Sequence, residues 1–285
     1  MGALGLDSAL ALIDSVRESR VLFVGDTIID EYHYVTALGK SPKEHLIPVQ
    51  YKSREVFSGG VRAAAKHARS FCARVDITSA GPITRKVRIV DSTYLRKLFE
   101  IHYTDGHSSD YTLASDHDVT VVTDFGHGAI KDTSFEGHKF LAVNAQTNSA
   151  NIGFNLITKY PRADYIVIDE PEARLAAADR DSPIEDVIRR LAEGRCPKMV
   201  VTLGTGGAVG YDGTFHRMPA LTNRVLDTLG AGDAFFAVTA PMARTGDMAD
   251  LLLIGNAAGA MKCEIVGHRE SVTKEALISY LRTNG

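Results

Sequence analysis

The feature that most constrains the fold is a succession of short, continuously apolar runs, each closing on a polar or glycine turn. R-V-L-F-V-G-D at 20–26 and V-T-V-V-T-D at 119–124 have this form, as do residues 140–144, 165–169 and 199–203. Strands apolar at every position are buried on both faces, and helical segments between them indicate a mostly parallel sheet. Such sheets bind ligands at the carboxyl ends of their strands. Asp26, Asp124, Asn144, Asp169 and Gly204 all lie at those ends.

Other segments fill in the plan. Leu6, Leu10, Ile13 and Val16 recur at helical spacing, so residues 6–18 are predicted as an amphipathic helix. Residues 27–34 are rich in β-branched and aromatic side chains, and residues 46–57 alternate through Ile47, Val49 and Tyr51 as in a half-exposed strand. S-G-G at 58–60 opens an Ala-rich helix over 61–71; residues 75–79 form a strand, and residues 85–103 a β-hairpin turning near Asp91 and Ser92. A chain of 285 residues, 45% hydrophobic and 24% charged, suits one α/β domain with an elaboration, or two small domains. A net charge of −3 gives no sign of a nucleic-acid binder. Cys72, Cys196 and Cys263 lack metal or redox spacing and read as buried free thiols of a reducing compartment. Asp7, Asp14, Arg17 and Glu18 interrupt any signal-peptide core, and no apolar run reaches membrane-spanning length, so a cytoplasmic protein is expected.

The chemistry concentrates in D-T-L-G-A-G-D at 227–233, which runs straight into the apolar segment 234–238. A small-residue turn opening a helix leaves backbone N–H groups unpaired, and the helix dipole adds partial positive charge, so the turn suits an anion such as phosphate. Asp233 would repel that anion. It has a place there if it takes a proton from a hydroxyl attacking the phosphate. An acidic helix cap is the plainer reading of a bare G-x-G-D.

This stretch resembles the C-terminal signature of the PfkB, or ribokinase-like, family of sugar and nucleoside kinases. The resemblance implies a three-layer α/β/α fold with a small β-sheet lid, in a single kinase domain over 1–285. The lid strands would lie at about 27–57 and 84–103. It implies that Asp233 is the catalytic base and that Gly230, Ala231 and Gly232 form an anion hole. G-D-T-I-I-D at 25–30 resembles the family's first strand, making Asp26 and Asp30 candidates for sugar hydroxyls, Asp30 the better. Gly59 and Gly60 match the Gly-Gly motif where backbone approaches the sugar. The family usually follows it with an Asn; here Arg62 either meets a substrate phosphate or lies on a solvated helix face.

Asp169 and Glu172 sit in place of the family's N-x-x-E, which organises Mg²⁺ near the nucleotide phosphates, with Glu172 the metal-side residue. Thr202, Gly204 and Gly206 resemble its nucleotide turn, and Asn256 lies in a stretch resembling the helix along the adenine pocket. Asp227 and Thr228, with the loop containing Gly267, resemble segments that bind nucleotide and often a monovalent cation, K⁺. The Arg85, Lys86 and Arg88 group either faces an anionic substrate or forms the charged outside of a hairpin. Asp116-His117-Asp118 reads as a solvated acidic loop.

Three stretches, 24–34, 84–103 and 123–128, are most similar to the heptose-7-phosphate kinase group, often paired with a nucleotidyltransferase. The chain is short for that group, passing from Gly81 directly into the hairpin and leaving few residues for a crossover between Asp124 and Phe140. The resemblance implies an ATP- and Mg²⁺-dependent kinase of a sugar or sugar phosphate. It also implies a homodimer paired through the lid and a separate nucleotidyltransferase as a possible partner. The alternatives are a catalytically weak binding or regulatory module of the same fold, supported by the motif departures, and a nucleoside kinase.

Overall fold

The computed structural model describes residues 3–105, 116–222 and 224–284. The chain runs α1 (Ala3–Ser15), β1 (Arg20–Gly25), β2 (Thr27–Ala37), β3 (Val49–Gly60), α2 (Val61–Ala68), β4 (Arg74–Thr78), β5 (Ile83–Asp91), β6 (Lys97–Asp105), β7 (Val119–Asp124) and β8 (Leu141–Ala145). It continues through β9 (Tyr165–Asp169), α3 (Glu170–Ala177), α4 (Ile184–Ala192), β10 (Lys198–Thr202), β11 (Ala208–Tyr211), β12 (Phe215–Met218), α5 (Ala231–Thr239), α6 (Met248–Cys263) and α7 (Lys274–Asn284).

The large sheet has the order β12-β11-β10-β9-β8-β7-β1-β4. Its strands are parallel from β4 through β10, and β11 and β12 add an antiparallel edge. The sequence pattern missed that hairpin, because β11 is only A-V-G-Y and β12 only F-H-R-M. Helices α1, α2, α5, α6 and α7 share one core cluster with one face of the sheet, while α3 and α4 pack on the other.

The expected alternation of strand and helix breaks between β7 and β9. No helix follows β7, and only a short 3₁₀ turn (Ile157–Lys159) precedes β9. Side chains hold this backbone instead. Asn148 and Asn151 donate to the Phe125 carbonyl, Asn155 donates to the Asp124 and Gln146 carbonyls, and Tyr160 donates to Asp124. Phe135, Ile157 and Tyr160 then fill the space a helix would cover.

A separate four-stranded sheet has the order β3-β2-β5-β6. Within it β2 and β5 are parallel, with Asp30 beside Lys86, Glu31 beside Val87 and Tyr32 beside Arg88. Paired positions share a face, so Asp30, Tyr32, Lys86 and Arg88 point one way and Glu31 and Arg85 the other. The outer face is partly bare: Tyr51, Val56, Ile83, Phe99, Ile101 and Tyr103 are all exposed. Among the described residues no helix is long and apolar enough to cross a membrane.

Candidate active site

Two cavities meet at the N-terminus of α5. One, about 240 Å³, lies between the small sheet and the strand ends of the large one. Its lining includes Asp30, Lys86, Arg88, Gln146, Asp233 and His268. The other, about 570 Å³, runs along α5 and α6 and is lined by Gly204, Thr205, Thr228, Phe235, Asn256 and Ala260 among others. Asp169, Thr202 and Gly232 border both.

Backbone geometry sets the turn between them. Gly230 caps α5 in the left-handed region, with φ +77°, which an L side chain adopts only under strain. A Cβ there would also press on His268 and Lys262. The turn is tied down by Asp227, whose carboxylate accepts from the Leu229 and Gly267 amides and from Tyr32 and Lys97. Burial alone would raise the Asp227 carboxyl; these donors outweigh it and bring it down to about 2. Asp233 is half-buried and accepts from Gln146. Burial pushes its carboxyl up, against the pull of His268, Gln146 and Lys262.

Asp30 is 3% exposed. Arg88 donates to its Oδ1, and His268 Nε2 stands 3.3 Å from its Oδ2. Burial would raise this carboxyl, but the His268 hydrogen bond and the Arg88 and His268 charges hold it below the usual range. Lys86, also buried, lines the cavity in the field of the Asp30, Glu100 and Asp233 carboxylates. Burial lowers its ammonium, reinforced by the Arg88 charge. Arg85 is on the opposite face, over the Tyr103 ring and 3.5 Å from Glu31. Of the two readings of this group, Lys86 and Arg88 thus face the cavity and Arg85 the outside.

Asp169 and Glu172 form a capping box at α3. Both Glu172 oxygens accept backbone amides, from Thr147 at 2.9 Å and Asp169 at 2.9 Å. Burial and the nearby Asp169 charge push the Glu172 carboxyl up to about 8. Among the described residues no cluster of three acidic, His or Cys side chains could ring a metal. What does fit is a hydrated Mg²⁺ carried by phosphates and touching these two carboxylates through water. The larger cavity keeps a free donor, the buried and unpartnered Nδ2 of Asn256.

Several sequence expectations change. Asp26 is fully buried and accepts from the Phe125 and Ala129 amides, so it straps the loop after β7 rather than facing the cavity. Arg62 lies on the exposed face of α2, away from both cavities, so the solvated-face reading fits. Gly60 lines the smaller cavity, whereas Gly59 backs Asp30, where a Cβ would collide with its Oδ2. The Ala231 amide donates to the Thr228 carbonyl at 3.3 Å, and Ala231 lines the larger cavity. Gly206 belongs to the 3₁₀ turn but lines neither cavity, unlike Gly204 and Gly207. Asp227 and Gly267 brace the turn instead of lining the nucleotide cavity. His117 is buried against Asp76 and Asp116, not solvated. Cys263 is half-buried and lines the larger cavity.

In the segments named for a monovalent cation, the carbonyl oxygens of Leu229, Ile265 and Gly267 accept from Lys262 Nζ at 2.8, 3.3 and 2.6 Å. Sequence reasoning passed over His268, Gln146 and Lys262. Only their place beside quoted motifs marked them, since no local pattern does.

Comparison with known proteins agrees with this architecture. Residues 152–275 match the model of the pfkB family carbohydrate kinases. A 73-residue stretch is 33% identical to ribokinase of Lactococcus lactis, covering 25% of this chain and 22% of that protein, about a fifth of the relative's length. Phosphofructokinase-2 of Escherichia coli, solved in complex with potassium, superposes with a TM-score of 0.68 at 13% identity, over 94% of this chain and 99% of that one. Ribokinase of Arabidopsis thaliana, solved with ribose and ATP, gives 0.65 at 13%, over 93% and 99%. Identities this low establish the fold, which is ribokinase-like, with a mostly parallel sheet and a separate small one. Residues 152–275 are thus similar to the pfkB family carbohydrate kinases, and the fold as a whole is ribokinase-like.

Proposed function

We propose that the protein transfers a phosphoryl group from ATP to a hydroxyl of an anionic sugar, a sugar phosphate of the heptose-7-phosphate kind. The observation that carries this is one cavity holding a candidate base, Asp233, beside a buried sugar-side carboxylate, Asp30, and two buried cations, Lys86 and Arg88. Burial disfavours the Lys86 ammonium, and the charge of a substrate phosphate would favour it. A neutral sugar would not.

In this reading Asp30 accepts from sugar hydroxyls and Lys86 and Arg88 hold the substrate's own phosphate. Gly60 lets backbone approach. Asp233 takes the proton of the attacking hydroxyl; its carboxyl, raised by burial, binds that proton better than an ordinary carboxylate. The amides opening α5 at Gly232 and Asp233 face the transferred group at the positive end of the helix dipole. ATP lies along the larger cavity, with Thr202, Gly204 and Thr228 near its phosphates and Asn256 near its base. Asp169 and Glu172 would meet Mg²⁺ through water; when bound, the ion neutralises charge on the phosphate oxygens. The small sheet acts as a lid that excludes water, and its bare outer face pairs two copies of the chain.

The test is phosphoryl transfer from ATP by the purified chain to matched neutral sugars and sugar phosphates. A higher kcat/KM for the phosphorylated partners supports the reading. ATP binding without transfer to any acceptor would favour a second one, a nucleotide- and sugar-binding module without turnover. One observation favours that alternative: both Asp30 oxygens already face Arg88 and His268.

A further inference from the structure

Lys262 lies near the end of α6 and has no exposed surface. Its Nζ donates to three carbonyl oxygens, one from the turn before α5 (Leu229) and two from the loop after α6 (Ile265 and Gly267). Carbonyls only accept hydrogen bonds. A neutral amine has two N–H groups and would aim its lone pair at the third oxygen, so the geometry requires the ammonium with three. The neighbouring His67 does not compete as a charge; burial takes its imidazole down to about 3, and its Nδ1 accepts from the Val272 amide.

The same two loops are also bound from the other side. Leu229 and Gly267 each give their N–H to the Asp227 carboxylate and their C=O to Lys262. One carboxylate and one ammonium therefore staple the two loops. At Gly230, the residue that turns the chain into α5, an added Cβ would press on the Lys262 and His268 side chains. A ring of backbone carbonyls is the ligand set that suits a dehydrated monovalent cation. Here the chain's own side chain fills it, and a second cation alongside would meet like-charge repulsion.

We propose that Lys262 is a tethered cation that takes the place of K⁺ and positions the catalytic turn, making the protein indifferent to K⁺. It is a positioning residue, acting through the Leu229 carbonyl on the Gly230–Asp233 amides. The inference rests on reading 227–233 as the phosphoryl site, but its first test does not need turnover.

Melting of the full chain is measured in KCl, NaCl and choline chloride at equal ionic strength, with ATP binding measured in each. The natural protein should melt at one temperature and bind ATP with one affinity in all three salts. Stabilisation or tighter ATP binding specific to K⁺ would overturn the proposal. Lys262→Ala vacates the ring without blocking it; it should melt lower, bind ATP more weakly, and recover both in KCl but not in choline chloride. A K⁺-specific gain of about 5 °C is the size expected well above the dissociation constant. Lys262→Met, which fills the space without charge, should be destabilised and gain nothing from K⁺. An Ala variant that folds but gains nothing from K⁺ would reduce Lys262 to a structural tie and overturn the cation role. If Lys262→Ala does not fold, the salt comparison on the natural protein still decides. Cation-indifferent melting in a protein that phosphorylates no sugar would refute the kinase reading alone.

Discussion

The cavity under the small sheet is lined by side-chain charge brought from distant parts of the chain, from Asp30 and Lys86 to His268. The cavity along α5 and α6 is lined mainly by turns and small residues between 169 and 263. The first depends on two sheets facing each other, so its strength lies in electrostatics that one substitution can unbalance. The second depends on local backbone geometry, the glycine turns and helix ends, which tolerates loss of one side chain. That contrast explains why the cavity along α5 and α6 carries a recognisable local pattern while the one under the small sheet departs from one.

The contrast can be broken most sharply at Asp233. Asp233→Asn should cut phosphoryl transfer by about 10²–10⁴-fold, the usual worth of a positioned acid or base, with nucleotide binding retained. Initial rates beside ATP titration calorimetry would check this, and near-normal rates would remove the base from that position.

Next comes Asp30→Ala, which removes one of the two carboxylates on Arg88 and leaves it Glu100 at 3.2 Å. A loss of about 1.5–3 kcal/mol is expected in denaturant unfolding. Arg85→Ala on the outer face of β5 should lie within about 0.5 kcal/mol of the natural protein.

Lys86→Met should weaken a sugar phosphate by about 10-fold or more while leaving a neutral sugar and ATP unchanged, read as KM for each acceptor. It should also stabilise the unliganded chain, because an ammonium disfavoured by burial is removed.

On the nucleotide side the effects should be smaller. Asn256 Nδ2 has no partner in the unliganded protein, so Asn256→Ala should barely change melting yet weaken ATP by about 1 kcal/mol.

Stability should also depend on pH. The Glu172 carboxyl, near 4.5 in the unfolded chain, is raised to about 8 in the fold, so the folded state holds its proton more tightly. The resulting stability is present below about 4.5 and is lost as pH rises through about 8. Melting should fall over that window, and Glu172→Gln should flatten the fall.

Much of this molecule was legible in the sequence. The parallel strands, the hairpin and the turn at 227–233 follow from local rules: apolar runs, alternation and glycine at a helix start. Asp30, Gly60, Asp169, Thr202 and Asn256 were named from motifs and do line the cavities. Asp26 was misjudged for a physical reason. A carboxylate at a strand end faces either a ligand or the backbone of the next loop, and only the position of Phe125 and Ala129 decides. Sequence likewise left Lys86 and Arg88 undecided between inside and outside, since alternation along β5 fixes which residues share a face but not which face meets the large sheet. The strand register and the turn at 227–233 were thus written locally, in periodicity and backbone preference. The charge network of Asp30, Arg88 and His268, and the staple of Asp227 and Lys262, join residues far apart in the chain. They exist only once packing brings those residues together and removes the water that would otherwise separate their charges.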